Sequence, residues 1–359
     1  MKHTEMISRR SFLQAAALTA ACSALALTGC GSSSSAASSA AGAASAQEGA
    51  AVYKVGIVNY VDDASLNQIV ASLEARLDEV GAERGVTFNY ADYYANAQAD
   101  QSNLNQIGAD LVADEVDVIV AVATPSASTM LAAVEDTDIP VIYSAVTDPV
   151  GAGFDGLPNI TGTSDALNTE AIMNLILSIN PDLDQLGLLY DLGQDSSTQA
   201  IADAKAFCDE HGIRYIEKNG TNTAEVQMAV EALAASGVKV VFTPTDNTIM
   251  TAELAIYETM IEAGIQHFTG ADSFALNGAF VGYGVDYVQL GEATADMVAE
   301  LLCDGKTIAD LPYRTFDNGT ATINTETCAA LGLDLETVKT AFEPYCTAIE
   351  ELVTAEEFE

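Results

Sequence analysis

The sequence predicts an α/β protein built as two doubly wound parallel-sheet lobes joined by a hinge. Three observations carry that expectation. Short, continuous apolar runs alternate with longer stretches of helical spacing, the pattern of a parallel sheet covered on both faces. The alternation runs through one series, stops, and starts again. Each series also places Thr-Pro at the end of its third apolar run, as Thr124-Pro125 and as Thr243-Pro244.

In the first series, Val52–Asn59 reads as an apolar strand. Ala64–Arg84 has helical spacing through Leu66, Ile69, Val70, Leu73 and Leu77, and Gly85 closes that helix. Residues 86–90 form the next strand. A helix through Leu104, Ile107, Leu111 and Val112 leads to the strand 116–122, and a short helix over 126–134 leads to the strand 140–145. The second series opens with a helix over 166–179 that Asn180-Pro181 ends, followed by the strand 186–190. Helices over 196–211, 224–235 and 248–263 end at Gly212, Gly237 and Gly264, and alternate with strands at 213–217, 238–243, Gln266–Thr269 and 279–284. Helices over Tyr287–Cys303 and 335–353 complete the body.

The first residues are expected to lie outside this fold. Ser8-Arg9-Arg10-Ser11-Phe12-Leu13-Gln14 reads as a twin-arginine export signal, and the apolar stretch at 15–27 is shorter than the ~20 residues that span a bilayer. Leu27-Thr28-Gly29-Cys30 then reads as a lipobox that makes Cys30 the lipidated N-terminus of the mature chain. Residues 1–29 are thus a signal, and 30–50, mostly Ser, Ala and Gly, a flexible tether. The remaining stretch of about 300 residues suffices for two domains.

Lys and Arg number 13 against 52 Asp and Glu, a formal charge of -39, so the surface repels phosphate backbones and nucleic acid is not an expected partner. Cys208, Cys303, Cys328 and Cys346 match no zinc pattern. Outside the cell Cys328 and Cys346 could pair; buried thiols are the other reading.

In open parallel sheets, ligands bind beyond the carboxyl ends of strands, at helix N-termini. Two facing lobes would bring both Thr-Pro loops to one cleft. Catalytic chemistry is sparse. Beyond the signal the only histidines are His211 and His267, neither with a ligand-spaced partner, and no Gly-x-Ser-x-Gly elbow occurs. Gly151-Ala152-Gly153-Phe154-Asp155-Gly156 runs into Leu157-Pro158-Asn159 rather than a helix, so it is a loop and not a dinucleotide fingerprint. Gly305-Lys306-Thr307 lacks the earlier glycine of a phosphate loop. A binding protein is expected, not an enzyme, with no cofactor and no metal.

From about Tyr53 to Arg314 the chain resembles the ABC-transporter substrate-binding proteins of the tryptophan/tyrosine-uptake type, which have the type I periplasmic-binding fold. The resemblance lies in Val146-Thr147-Asp148-Pro149-Val150-Gly151-Ala152-Gly153 and Asn159-Ile160-Thr161-Gly162-Thr163-Ser164-Asp165, with Thr124-Pro125, Pro244-Thr245-Asp246-Asn247 and Gly284-Val285-Asp286-Tyr287. It implies a hinged clamp that closes over an aromatic amino acid or a similar small solute, anchored outside the cell and served by one permease and one ATPase. A sensing receptor for a membrane signalling protein, or a sugar- or nucleoside-binding protein of the same fold, is the alternative.

Carried over by position, the ligand-facing residues are Thr124, Pro125, Ser126, Thr147 and Asp148, then Asp246 and Asn247 from the second lobe. Amides after Pro125 would receive a ligand carboxylate. Asp246 would pair with a ligand ammonium, or else cap the helix beginning near Thr248. An aromatic side chain would pack on Tyr60, Phe274 or Tyr283. Two positions depart from the family: Gln194-Asp195-Ser196-Ser197 stands where it usually carries Glu-x-Asn-Ser, and Asp62-Asp63 where it often has His. The resemblance places the lobe crossings near 160–164, 284–286 and 311–314. The N-terminal lobe is then 51–159 plus 286–311, and the C-terminal lobe 160–285 plus 312–359.

Overall fold

Strand β1 (Val52–Asn59) passes from an exposed start into five successive buried residues, as a central strand covered on both faces must. Its surroundings come from a computed structural model that describes residues 50–316 and 319–355. The signal, the lipobox at Cys30 and nearly all of the tether lie outside the described residues.

Helix α1 (Ala64–Arg84) follows, with the Asp63 carboxylate accepting the amides of Ser65 and Leu66. Gly85 closes it at φ 69°, left-handed backbone that glycine adopts without strain. The first series continues through β2 (Thr87–Asn89), β3 (Tyr94–Asn96), α2 (Gln101–Ala113), β4 (Val118–Val122), α3 (Thr124–Ala133), β5 (Val141–Ser144) and β6 (Ile160–Ser164). The second comprises α4 (Thr169–Ile179), β7 (Gln185–Tyr190), α5 (Asp195–His211), β8 (Arg214–Asn219), α6 (Thr223–Ser236), β9 (Val240–Thr243), α7 (Asn247–Ala252), α8 (Tyr257–Glu262), β10 (Gln266–Thr269), α9 (Asp272–Leu276) and β11 (Val281–Gly284). Then come α10 (Tyr287–Cys303), β12 (Arg314–Thr315), β13 (Thr320–Asn324), α11 (Thr325–Ala330), α12 (Leu335–Phe342) and β14 (Ala348–Leu352).

The strands form two sheets. One runs β12-β6-β5-β4-β1-β2, with β3 also paired to β1; the other runs β14-β13-β11-β10-β9-β7-β8. All pairings are parallel except β11 with β13. The chain crosses from the first sheet to the second after β6, returns to the first lobe between β11 and α10, and leaves it again after β12.

This differs from the expected boundaries at 159/160 and 311/312. Residues 160–164 belong to the first sheet, because Ile160 pairs with Val141 and the strand is buried throughout. Gly162 lets it lie that close: a Cβ there would stand 2.0 Å from the Tyr143 carbonyl oxygen. Arg314 also stays with this sheet, opposite Thr163, and its guanidinium pairs with Glu300 of α10 at 3.1 Å.

Two helices differ from their periodicity. The span 248–263 breaks into α7, a 3-10 turn and α8, where Glu253 turns inward to His267. The span 335–353 stops at Phe342, since Pro344 cannot continue a helix, and β14 follows as an edge strand.

Apolar packing falls into three clusters. One fills the second lobe beneath α4, α5 and α12, and another lies under α2 and α3. The largest passes between the lobes, joining Leu66, Ala123 and Ala145 to Met250 and Phe274. The four described cysteines are free thiols, Cys208 and Cys328 buried.

Candidate functional site

The strand tips of the two sheets meet over a cavity of about 30 Å³. On the first-lobe side, β4 is followed by Ala123 at φ 73° and β5 by Ala145 at φ 57°, and both line the cavity. Such left-handed turns at residues bearing a Cβ cost about 1–3 kcal/mol and concentrate where a fold presents backbone to a ligand. Ala123 leads directly into α3, whose first amides, like those of any helix, have no intrahelical acceptor, and no side chain caps them. Thr124 lines the cavity, and its hydroxyl, buried, has no hydrogen-bond partner. From the loop after β5, Thr147 reaches across the lobes to Thr245, hydroxyl to hydroxyl at 3.1 Å.

The second lobe contributes Thr245, Asn247, Ser196, Met250, Ala271 and Phe274. Asn247 donates from its amide to Gln194 Oε1 at 3.0 Å. Ser196 Oγ is buried without a partner. Phe274 is held edge-on against His267, with ring centroids 6.4 Å apart. His267 in turn lies between Glu253 at 3.0 Å and Thr243 at 2.8 Å. Gly282 in β11 allows α9 to begin this close, because a Cβ there would come within 2.2 Å of the Ala271 carbonyl oxygen.

Where the chain first leaves the first sheet, Asp165 lines the cavity, buried, with one carboxylate oxygen lacking a partner. Burial pushes its carboxyl up to about 6, against the opposing pull of the Thr147 hydroxyl and its own amide. Tyr287, the first residue of α10, lines the same space. Burial, then the charges of Asp165, Asp272 and Asp63, hold its phenol well above the ordinary range.

Among the residues expected from the sequence, the cavity thus brings together Thr124, Thr147, Asn247 and Phe274. The others stand elsewhere. Ser126 is buried in the first turn of α3 and Pro125 is half-buried beside it. Asp148 caps its own loop, accepting the Gly151 amide at 2.8 Å. Tyr60 sits outside the lining, within electrostatic reach of Asp191 and Asp246; its phenol is raised by burial first and by those charges after. Tyr283 lies in the second-lobe core, its hydroxyl donating to the Tyr345 carbonyl at 3.1 Å.

Asp246 caps α7. Its Oδ1 accepts the amides of Thr248 and Ile249, both at 3.0 Å, and its Oδ2 accepts the Asp191 amide at 2.7 Å and the Ser197 hydroxyl at 2.6 Å. Burial raises its carboxyl to about 6 despite these donors. With both oxygens engaged and no place in the cavity lining, it has no free lone pair facing the cleft.

Sequence reasoning missed Ser65, Asp165, Ser196, Thr245 and Tyr287 among the polar lining residues. Asp165 and Tyr287 each end a motif that carried the family resemblance, Thr245 lies within another, and Ser196 opens α5 in the segment that departs from it, so a signal existed for all four. Ser65 reads only as the start of a helix.

Two largely parallel sheets whose helix starts confront one another over a polar-lined cavity, with the chain passing between them, define a solute-binding clamp. A model of the family described as ABC transporter substrate binding protein matches residues 54–341, and the chain belongs to that family. It is 29% identical over 284 residues to a tyrosine-binding protein of Clostridioides difficile, covering 78% of this chain and 81% of the relative. It is similar to an ABC domain from Streptococcus pneumonia solved in complex with L-Trp, with 26% identity, TM-score 0.74, and coverage of 83% of this chain and 100% of that one. A ligand-free, open substrate-binding protein with adhesive properties from Clostridium difficile is 25% identical, with TM-score 0.62 and coverage of 84% and 100%. The family and these relatives are binding proteins; membership implies a small-molecule ligand, an ABC transporter as partner, and a place outside the cytoplasm.

Proposed function

We propose that the chain captures an amino acid with an aromatic or other apolar side chain for an ABC importer. The observation that carries this reading is the set of unsatisfied polar atoms on residues lining one cavity: Thr124 Oγ1, Asp165 Oδ1 and Ser196 Oγ. Each buried polar atom left unpaired costs about 1–3 kcal/mol, which a ligand bearing both donors and acceptors recovers.

In this reading the ligand carboxylate meets the uncapped start of α3 and the Thr124 hydroxyl. Its ammonium pairs with Asp165, in place of the Asp246 expected from the sequence, because a buried cation requires an anionic partner. Its side chain packs among Leu66, Met250, Phe274 and Tyr287. A cavity of about 30 Å³ holds little more than water, so capture involves parting the lobes and closing them again. The names of the tyrosine-binding relative and the L-Trp complex support the aromatic class. We place the body at the outer face of the cytoplasmic membrane, held by lipid on Cys30 after twin-arginine export, with one permease chain and one ATPase chain as partners.

Isothermal titration against L-tyrosine, L-tryptophan, L-phenylalanine, arabinose and adenosine tests the reading. An amino acid is expected to bind. Asp165→Asn is expected to weaken it about thirtyfold or more, since breaking a buried charge pair costs about 2–5 kcal/mol. Binding of the sugar or nucleoside with no amino acid bound would sink it.

A further inference from the structure

We propose that Asp63, Ser65 and Asp272 form a clasp between the lobes that takes up a proton as it shuts, making closure of this protein proton-linked. Asp63 caps α1 in the first lobe and is buried, 4% exposed. Asp272 opens α9 in the second lobe. Ser65 stands between them: its hydroxyl donates to Asp272 Oδ1 at 2.5 Å and accepts the Ser273 amide at 3.3 Å, while its own amide donates to Asp63 at 2.9 Å. The Gln68 side-chain amide approaches the other Asp272 oxygen at 3.4 Å. Shutting the lobes therefore brings two carboxylates, one from each lobe, to opposite sides of a single serine.

The charges facing this junction offer no relief. On the cavity side stand Asp165 and the Tyr287 phenol. Asp62 lies beside Asp63 in the groove that also holds Asn277, and Asp286 and Glu350 lie beside Asp272 on the hinge side. Behind α9, His267 is already engaged by Glu253 and Thr243. Among the described residues, no lysine, arginine or histidine lines any of the three cavities that meet here. Asp63 is buried and Asp272 half-buried, and two carboxylates sharing such a junction without a counter-ion favour taking up one proton between them. Burial, then the charge of Asp272, raises the Asp63 carboxyl to about 7 against the capping amides and the Ser273 hydroxyl, and burial likewise raises Asp272 against its bonds to Ser65 and Gln68.

Parting the lobes returns both groups to water, where an aspartate titrates at about 3.9. The shut form thus binds the proton more tightly than the open form. Protonation favours closure below about pH 7, and that help is lost as pH rises through 7. One such proton makes closure about tenfold more favourable at pH 6 than at pH 8. A ligand ammonium at Asp165 leaves this requirement in place, because neither clasp carboxylate lines the ligand cavity.

The clasp does not depend on the capture reading, and the test has two arms. In the first, small-angle scattering of the full-length, ligand-free protein follows its radius of gyration from pH 8 to pH 5.5. The wild type is expected to contract. Asp63→Asn, which keeps the capping oxygen, and Asp272→Asn are expected to lose that pH dependence. A radius independent of pH, or a contraction unchanged in both variants, would overturn the clasp. In the second arm, titration of L-tyrosine and L-tryptophan at pH 6.5, in two buffers of different ionisation enthalpy, should show net proton uptake, up to about three-quarters of a proton per ligand bound, absent in Asp63→Asn. Tight binding without proton uptake overturns the proposal. If neither amino acid binds, the capture reading fails and the scattering arm alone decides the clasp.

Discussion

Thr124-Pro125 and Thr243-Pro244 look alike in sequence, each at the end of a buried strand, and the two lobes use them in opposite ways. In the first lobe, Ala123 turns through left-handed backbone straight into α3, which starts uncapped beside a cavity with the Thr124 hydroxyl unsatisfied. In the second, Thr243 stays in β9 with its hydroxyl against His267, and the helix waits until Asn247, with Asp246 as its cap. A helix start can receive an anion only where no side chain has already done so. An aspartate at a strand tip whose oxygens hold four donors serves the fold rather than the ligand.

The largest test of that contrast is Asp246→Ala. It removes the α7 cap and strands the Asp191 amide and Ser197 hydroxyl, so chemical denaturation should show a loss of about 2–3 kcal/mol. Affinity of the folded protein should stay within about threefold. Lost binding with intact stability would reverse the roles assigned to the two loops. Thr124→Val comes next: affinity for the captured amino acid should fall about tenfold, the worth of one hydrogen bond, while stability holds or rises because an unpaired hydroxyl is gone. Equal affinity would detach Thr124 from the ligand. The smallest effect is expected of Ala123→Gly, which relieves the φ of 73° and should raise stability by up to about 1 kcal/mol in thermal unfolding. A destabilised variant would mean that the turn carries no strain.

What the sequence made legible follows from what periodicity encodes. The strands β1, β4, β7 and β9 are largely buried apolar runs, and the tip of β4 led to Thr124, while Thr147 and Asn247 came from the family motifs. The edge strand β14 escaped because Ala348, Ile349 and Leu352 suit a helical stripe as well as a strand, and only its pairing with β13 decides between them. Residues 160–164 escaped because a Thr- and Gly-containing strand has no apolar run to announce it. Tyr283 was misplaced although alternation bears on it: it shares a face with Val281, and that face is the second-lobe core. Asp165 and Ser65 line the cavity through a chain crossing and a helix start, and their convergence is tertiary. No spacing along the chain records it.

The apolar cluster that joins Leu66 and Ala145 of one lobe to Met250 and Phe274 of the other makes the shut state a greased seam. Wetting it costs about 25 cal/mol for every Å² exposed. Residence time is then paced by how seldom the seam parts, separately from how well the guest is held. A transporter that grips both halves speeds delivery by prising them apart, with no need to compete for any of the cargo's own hydrogen bonds.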